Sequence, residues 1–238
     1  MKLRMKLAKQ EKARFFSHLD MGRALERSLR RAAIPVALSQ GFSPHPLISF
    51  VGALPTGTSS EGEFVDIELA EEMDSDEFVR RVNAHTPPGL AVREVRPAPE
   101  GGRSVWSMIN MAEYRLTLVV QPETAGLFGE AVASFLGRIE VAVTKEGKRG
   151  PNLVNIRPQV HALWLEGAGP NATGDETLVQ LRVVMEFGPE GNLKPDDFLK
   201  GFQSVAVETE QARLALAHRI AIYRLNLETG MLEEPWSF

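Results

Sequence analysis

His45 lies between Pro44 and Pro46 in the run Ser39-Gln40-Gly41-Phe42-Ser43-Pro44-His45-Pro46. The two prolines leave it little backbone freedom. Gly41 allows a positive φ or a close backbone approach to a ligand. Ser39, Gln40, Ser43 and His45 put four polar groups on one rigid loop, which suits a ligand cradle. The alternative is a structural turn in which His45 caps backbone groups. A second histidine, His18, falls at an expected helix start with Asp20 beside it. The helix dipole there favours a neutral imidazole, which can act as a general base. His18, His45 and Asp20 would also make a two-histidine, one-carboxylate ligand set. Their spacing forms no tight motif such as HExxH, so no metal is expected. His85, His161 and His218 stand singly and read as core or surface residues.

Binding has a stronger signal than chemistry. Arg23, Arg27, Arg30 and Arg31 recur at spacings of three and four, so most share one helix side. Like charges placed so repel and add nothing to the helix, and Glu26 only partly offsets them. A row of guanidinium groups suits bidentate contacts to phosphate; a solvated helix face is the alternative. Phe42 can stack on a base, a contact that contributes about 1–3 kcal/mol. Farther along, Lys145, Lys148 and Arg149 mark a Gly-containing basic loop, followed by Arg157. Such a loop reaches a phosphate backbone or is simply a solvated turn. The expected ligand-binding set is therefore Ser17, Asp20, Arg23, Arg27, Arg30, Ser39, Gln40, Gly41, Phe42, Ser43, His45, Lys145, Lys148, Arg149 and Arg157. His18 and His45 are the candidates for catalysis.

Composition limits what these residues can be part of. The chain has 238 residues, 43% of them hydrophobic and 24% charged, ordinary values for a globular protein. It contains no cysteine, which excludes disulfides, thiolate nucleophiles and any cysteine-held zinc or iron–sulfur cluster within it. Neither Walker A, GxGxxG after a strand, nor GxSxG is present. No apolar run approaches the roughly 20 residues that span a bilayer. Residues 1–7 alternate basic and apolar side chains instead of forming a signal-peptide core, so a cytoplasmic location is expected. The net charge of −4 is unevenly spread. Residues 1–60 hold ten basic and three acidic side chains, and residues 61–100 hold four basic and eleven acidic ones. That distribution argues against general DNA coating and permits a local anion-binding face.

The elements that must position these residues follow from periodicity and punctuation. Residues 2–8 alternate like a half-buried strand. Ser17-His18-Leu19-Asp20 starts a helix that runs to about Ala33, with Leu25, Leu29 and Ala32 on one face. Leu47 to Leu54 and Glu63 to Leu69 read as strands, Ser75 to Ala84 as a helix capped by Ser75, and Gly89 to Val95 as a strand. After a Pro/Gly-rich connector the pattern repeats: strand 113–120, helix 123–136, strands 139–145 and 153–165 about a loop, strand 178–187, helix 194–202 and strand 213–225. This predicts an α+β fold of tandem ferredoxin-like βαββαβ units. The first covers 1–97, a connector 98–112, and the second 113–238 with an extra strand.

At this point the residues resemble a family. Phe15-Phe16-Ser17-His18-Leu19-Asp20, Arg23-Ala24-Leu25-Glu26-Arg27, the run 39–46, Ile48-Ser49-Phe50 and Glu61-Gly62-Glu63-Phe64 look like the radical-SAM-linked protein family. That bacterial domain of uncharacterised function stands alone or behind a B12-binding-type radical SAM domain. The likeness is specific over residues 1–70 and fainter at Lys145 to Arg157 and Arg219 to Tyr223. It implies a radical SAM enzyme as partner that supplies the cluster. The architecture is also similar to the RAMP superfamily of CRISPR RNA-processing endoribonucleases, although the usual C-terminal glycine-rich loop is missing unless Gly188 to Gly191 is a remnant. The expectation is an accessory RNA-binding or substrate-binding protein without catalytic activity or cofactor of its own. Metal-independent RNA cleavage and a pure protein adaptor are the alternatives.

Overall fold

The structure is a computed structural model that describes residues 1–99, 104–147 and 150–238. Two compact units divide the chain: Met1–Ile109 with Arg219–Phe238, and Asn110–His218. The sequence reading placed all of 113–238 in the second unit; residues 219–238 group with the first.

The first unit is built from β1 (Lys2–Lys9), α1 (His18–Arg31), β2 (Ile48–Phe50), β3 (Ser59–Glu68), α2 (Ser75–Asn83) and β4 (Leu90–Pro97). Strand β1 pairs antiparallel with β3 and β4, and β2 with β3. The resulting order, β4-β1-β3-β2, is that of a ferredoxin-like βαββαβ unit. Alternation sorts β1: Leu3, Met5 and Leu7 are fully buried with Leu25 and Leu29 of α1 and Phe78 and Val82 of α2. Each such side chain contributes about 1.5–3 kcal/mol by leaving water.

The other face of this sheet carries Lys2, Arg4 and Lys6 opposite Glu68, Asp66 and Phe64. The chain's last residues cover it. Glu234 pairs with Lys6 at 3.0 Å, and Trp236 packs edge-on against Phe64 at 4.8 Å. Arg96 lies over the Trp236 ring at 4.5 Å, and Arg4 donates to the Pro235 and Phe238 carbonyls. This is why β3 is buried on both faces, where simple alternation was expected.

Two local expectations need correction. The strand expected over 47–54 pairs only at Ile48–Phe50. Beyond Phe64 the edge of β3 belongs to β10 (Arg213–Leu225), whose residues 219–225 lie in this unit. They come so close that a Cβ on Gly62 would lie 2.5 Å from the Ile220 carbonyl oxygen. Helix α2 is capped by Asp74, not Ser75. Its Oδ1 accepts from the Asp76 and Glu77 N–H groups at 3.0 Å each, and a carboxylate there also suits the helix dipole.

In the second unit β5 (Met111–Val120), α3 (Phe128–Leu136), β8 (Val160–Pro170), β9 (Thr177–Glu186), α4 (Pro195–Val205) and the start of β10 repeat the βαββαβ order. The extra element is a hairpin, β6 (Ala142–Gly147) paired with β7 (Gly150–Asn155), not one strand. Residues 157–159 form a 3-10 turn that breaks the strand expected over 153–165. The core between α3 and α4 is aromatic, with Phe135 edge-on to Phe198 at 5.6 Å. No helix among the described residues is long and apolar enough to cross a membrane.

Candidate nucleic-acid interface

Helix α1 presents two unlike faces because its sequence does. Met21, Ala24, Leu25, Ser28 and Leu29 are buried, while Arg23, Glu26, Arg27, Arg30 and Arg31 are exposed. The helix start at Ser17 is closed by a capping box: Ser17 Oγ accepts from the Asp20 N–H at 3.1 Å, and Asp20 accepts from the Ser17 N–H and hydroxyl. Those bonds hold the Asp20 carboxyl below its ordinary range, with smaller help from Arg23 and Arg27. Ser17 and Asp20 therefore serve the helix start. At the other end Arg81 of α2 donates to the Ala32 carbonyl at 2.6 and 3.0 Å and to that of Ala33 at 2.7 Å. It satisfies the helix's free carbonyls and fixes where the chain turns into residues 34–38.

Those residues run extended and lead into the proline-clamped loop. Leu38 bridges Pro46, the Ser39 N–H donates to the His45 carbonyl at 2.9 Å, and the His45 N–H donates to Ser39 Oγ at 3.1 Å. Ser39 Oγ also meets His45 Nδ1 at 2.8 Å. Ser39 and His45 thus close the loop neck, the structural role weighed as the alternative. The His45 ring is nevertheless exposed, and its Nε2 has no hydrogen-bond partner among the described residues. Gly41 has φ +130°, the region that favours glycine. It turns the tip so that Gln40, Phe42 and Ser43 face solvent, and Phe42 is exposed over its whole side chain.

Between α1 and this extended segment lies a cleft of about 410 Å³. Leu29, Ile34, Val36 and Ile48 line it; Leu38 and Pro46 form its wall towards the loop, and Glu26, Arg27 and Arg30 border it from the helix. The side chains of Arg23, Arg27, Arg30 and Arg31 make no salt bridge or hydrogen bond among the described residues, although Arg23 and Arg27 lie close enough to attract the Asp20 carboxylate. The helix arginines and the 39–46 loop, recognised separately in sequence, therefore flank one cleft. The alternation Ile34, Val36, Leu38 was the signal that could have revealed its apolar side.

Other expected residues lie elsewhere. His18 turns its ring edge towards Phe50 at 5.3 Å, and its Nδ1 is buried without a partner. No group of three metal-ligating side chains occurs among the described residues, so His18, His45 and Asp20 do not assemble into a ligand set. Lys145 and Arg157 belong to the second unit. Lys145 Nζ donates to Gln159 at 3.2 Å. Arg157 donates to the Val160 carbonyl at 2.9 Å and to that of Leu136, the last residue of α3, at 3.1 Å. Two of its three nitrogens are thus used internally. Lys148 and Arg149 lie outside the described residues.

The sequence reading missed a buried charge cluster. Arg219 and Glu63 form a two-pronged ion pair at 2.8 and 2.6 Å, with side chains 0% and 2% exposed. Lys9 is buried near them; burial pushes its ammonium below the ordinary value, against the pull of Glu63.

Similarity to known proteins adds a family. No curated protein matches the chain. Among solved structures, a chain of a Cbf5-Nop10-Gar1 complex is similar at 12% identity, with a TM-score of 0.48 over 92% of this chain. The match covers 48% of that chain, so the protein spans about half its length. A DypB variant from Rhodococcus jostii RHA1 in complex with heme is similar at 12% identity, with a TM-score of 0.22 over 91% of this chain and 90% of that one. The model of a family described as an uncharacterized protein conserved in bacteria, DUF2344, matches residues 2–195, and the chain belongs to that family. Membership brings no activity with it, and neither the radical SAM link nor the RAMP likeness follows from it.

Proposed function

We propose that this DUF2344 member is an accessory RNA-binding protein that presents RNA to a radical SAM enzyme. One observation carries the RNA reading: α1 exposes Arg23, Arg27, Arg30 and Arg31 with no salt bridge among the described residues, and the loop that follows carries a fully exposed Phe42. Four exposed guanidinium groups along one helix, none of them in a salt bridge among the described residues, contribute little to fold stability. They suit a ligand with regularly spaced negative charge. An exposed aromatic on the loop after the helix suits one that also offers flat faces for stacking. Single-stranded RNA has both. The partner enters from the resemblance of residues 1–70 to the radical-SAM-linked family; a chain without cysteine would leave the cluster to that partner.

The test is binding of a fluorescent single-stranded RNA across a salt titration. Affinity should fall steeply with salt, and Arg23→Ala with Arg27→Ala should reduce the slope by about 1.4, at about 0.7 per single-strand phosphate contact. Equal affinity at low and high salt ends the reading. Co-purification with a radical SAM enzyme tests the partner separately.

Cleavage is a second reading, favoured by the Ser39–His45 contact, which fixes the ring while leaving Nε2 free. A cleavage assay in EDTA, wild type against His45→Ala, decides it.

A further inference from the structure

Rims and floor differ in the cleft beside α1, and the difference specifies a ligand. Its lining is apolar at Leu29, Val36 and Ile48, and the exposed Arg27 and Arg30 complete it on the helix side. An apolar floor alone would fit a greasy side chain, and guanidinium groups alone would fit any phosphate. Together they fit a molecule with a flat, poorly hydrated body and an anionic group at one end. The volume, about 410 Å³, is in the range of small-molecule sites, about 300–1,000 Å³. Resting on the RNA reading above, we infer that this cleft takes one unstacked nucleotide of the bound strand. Its base lies on Leu29, Val36 and Ile48, and its phosphate between Arg27 and Arg30.

Glu26 then has a role that a general anion site would not give it. A carboxylate among arginines weakens phosphate binding, so as part of a featureless basic face it is a liability. At the edge of a base pocket it accepts a hydrogen bond from an exocyclic amino group, as carboxylates do with cytosine N4. Cytosine, adenine and guanine carry such a group and uracil does not. The cleft therefore selects amino-bearing bases over uracil, while Arg23, outside the cleft lining, acts only on the backbone.

The experiment is fluorescence anisotropy with ten-nucleotide oligo-C, oligo-A and oligo-U at fixed salt, using the full chain. The wild type should prefer oligo-C and oligo-A to oligo-U by about tenfold. Glu26→Gln, whose amide can also donate to uracil O4, should erase that preference. Val36→Phe fills the cleft and should cost about tenfold in affinity for oligo-C while leaving the salt slope unchanged. Leu38→Asp, at a side chain 54% exposed and tolerant of change, places a negative charge at the wall and should weaken binding likewise. Wild-type base preference in Glu26→Gln, or undiminished affinity in both Val36→Phe and Leu38→Asp, overturns the pocket while leaving RNA binding intact. Absence of salt-dependent binding in the wild type overturns both readings.

Discussion

Replacing Glu63 by leucine should destabilise the first unit more than any single change on its surface. The carboxylate holds Arg219 through two bonds of 2.8 and 2.6 Å in a site that water does not reach. Removing one partner of a buried pair costs about 3–5 kcal/mol, because the remaining charge stays desolvated and unpaired. Here the remainder is two cations, since Lys9 is also buried and attracted by Glu63. The cost should therefore reach the upper part of that range, against a total stability of about 5–15 kcal/mol. With a urea slope of about 3 kcal/mol/M, the unfolding midpoint should fall by about 1–2 M. The assay is urea unfolding followed by tryptophan fluorescence, with Trp164 changed to Phe so that the signal comes from Trp106 and Trp236 of the first unit. Arg219→Met should cost less, because Lys9 still answers Glu63. The double variant should cost less than the sum, because two apolar side chains replace two charges. A midpoint shift under about 0.3 M in Glu63→Leu, or strictly additive losses, refutes this account.

Lys9→Met should stabilise the protein at neutral pH. Burial lowers the folded pKa below the ordinary 10.5, so the unfolded chain binds the proton more tightly. The destabilisation is full below the lowered value and fades as pH rises towards 10.5, so the gap between variant and wild type should close over that window in urea titrations at several pH values. Ser17→Ala should cost about 1 kcal/mol at neutral pH through the lost cap, read by thermal unfolding. Asp20 has a folded pKa below 3.8, so its contribution is present above 3.8 and lost as pH falls through the lowered value. Asp20→Asn should therefore match wild type at the most acid end and fall behind above it. Leu25→Ala, at a fully buried site under α1, should cost about 2–5 kcal/mol by the same measurement.

Local rules were enough to place α1, its start at Ser17 and the βαββαβ order, because each depends on neighbours within a few residues. Ser17 and Asp20 meet across one turn, and the alternation of β1 needs no partner to be read. Alternation failed for β3 because its second face is covered by residues 232–238, a contact that no window includes. The strand over 47–54 was overlong because β10 takes the edge it would have used. The candidate site was half legible. Arginine spacing and the paired prolines gave its two rims, but the cleft depends on Arg81 fixing the end of α1 from another helix. Arg157 misled because a basic residue after a basic loop looks like a phosphate ligand, whereas it donates to carbonyls of α3 and β8. Glu63 and Arg219 stand 156 positions apart, and no spacing rule joins them.

The first unit is assembled from both ends of the sequence, and that sets a clock on its synthesis. Residues 1–109 leave the ribosome about 110 positions before Arg219 does, an interval of about 5–20 s at about 5–20 residues per second. For that time Glu63 has no Arg219, Arg4 lacks its carbonyl acceptors, and the basic face of β1 stands open to solvent. The second unit, uninterrupted from 110 to 218, can close on itself during the wait. What arrives last is a half-strand and a short aromatic tail that dock onto a waiting sheet. Until they do, the nascent chain offers an unpaired edge at β3, which makes this interval the one in which a chaperone or a second nascent copy has most to bind.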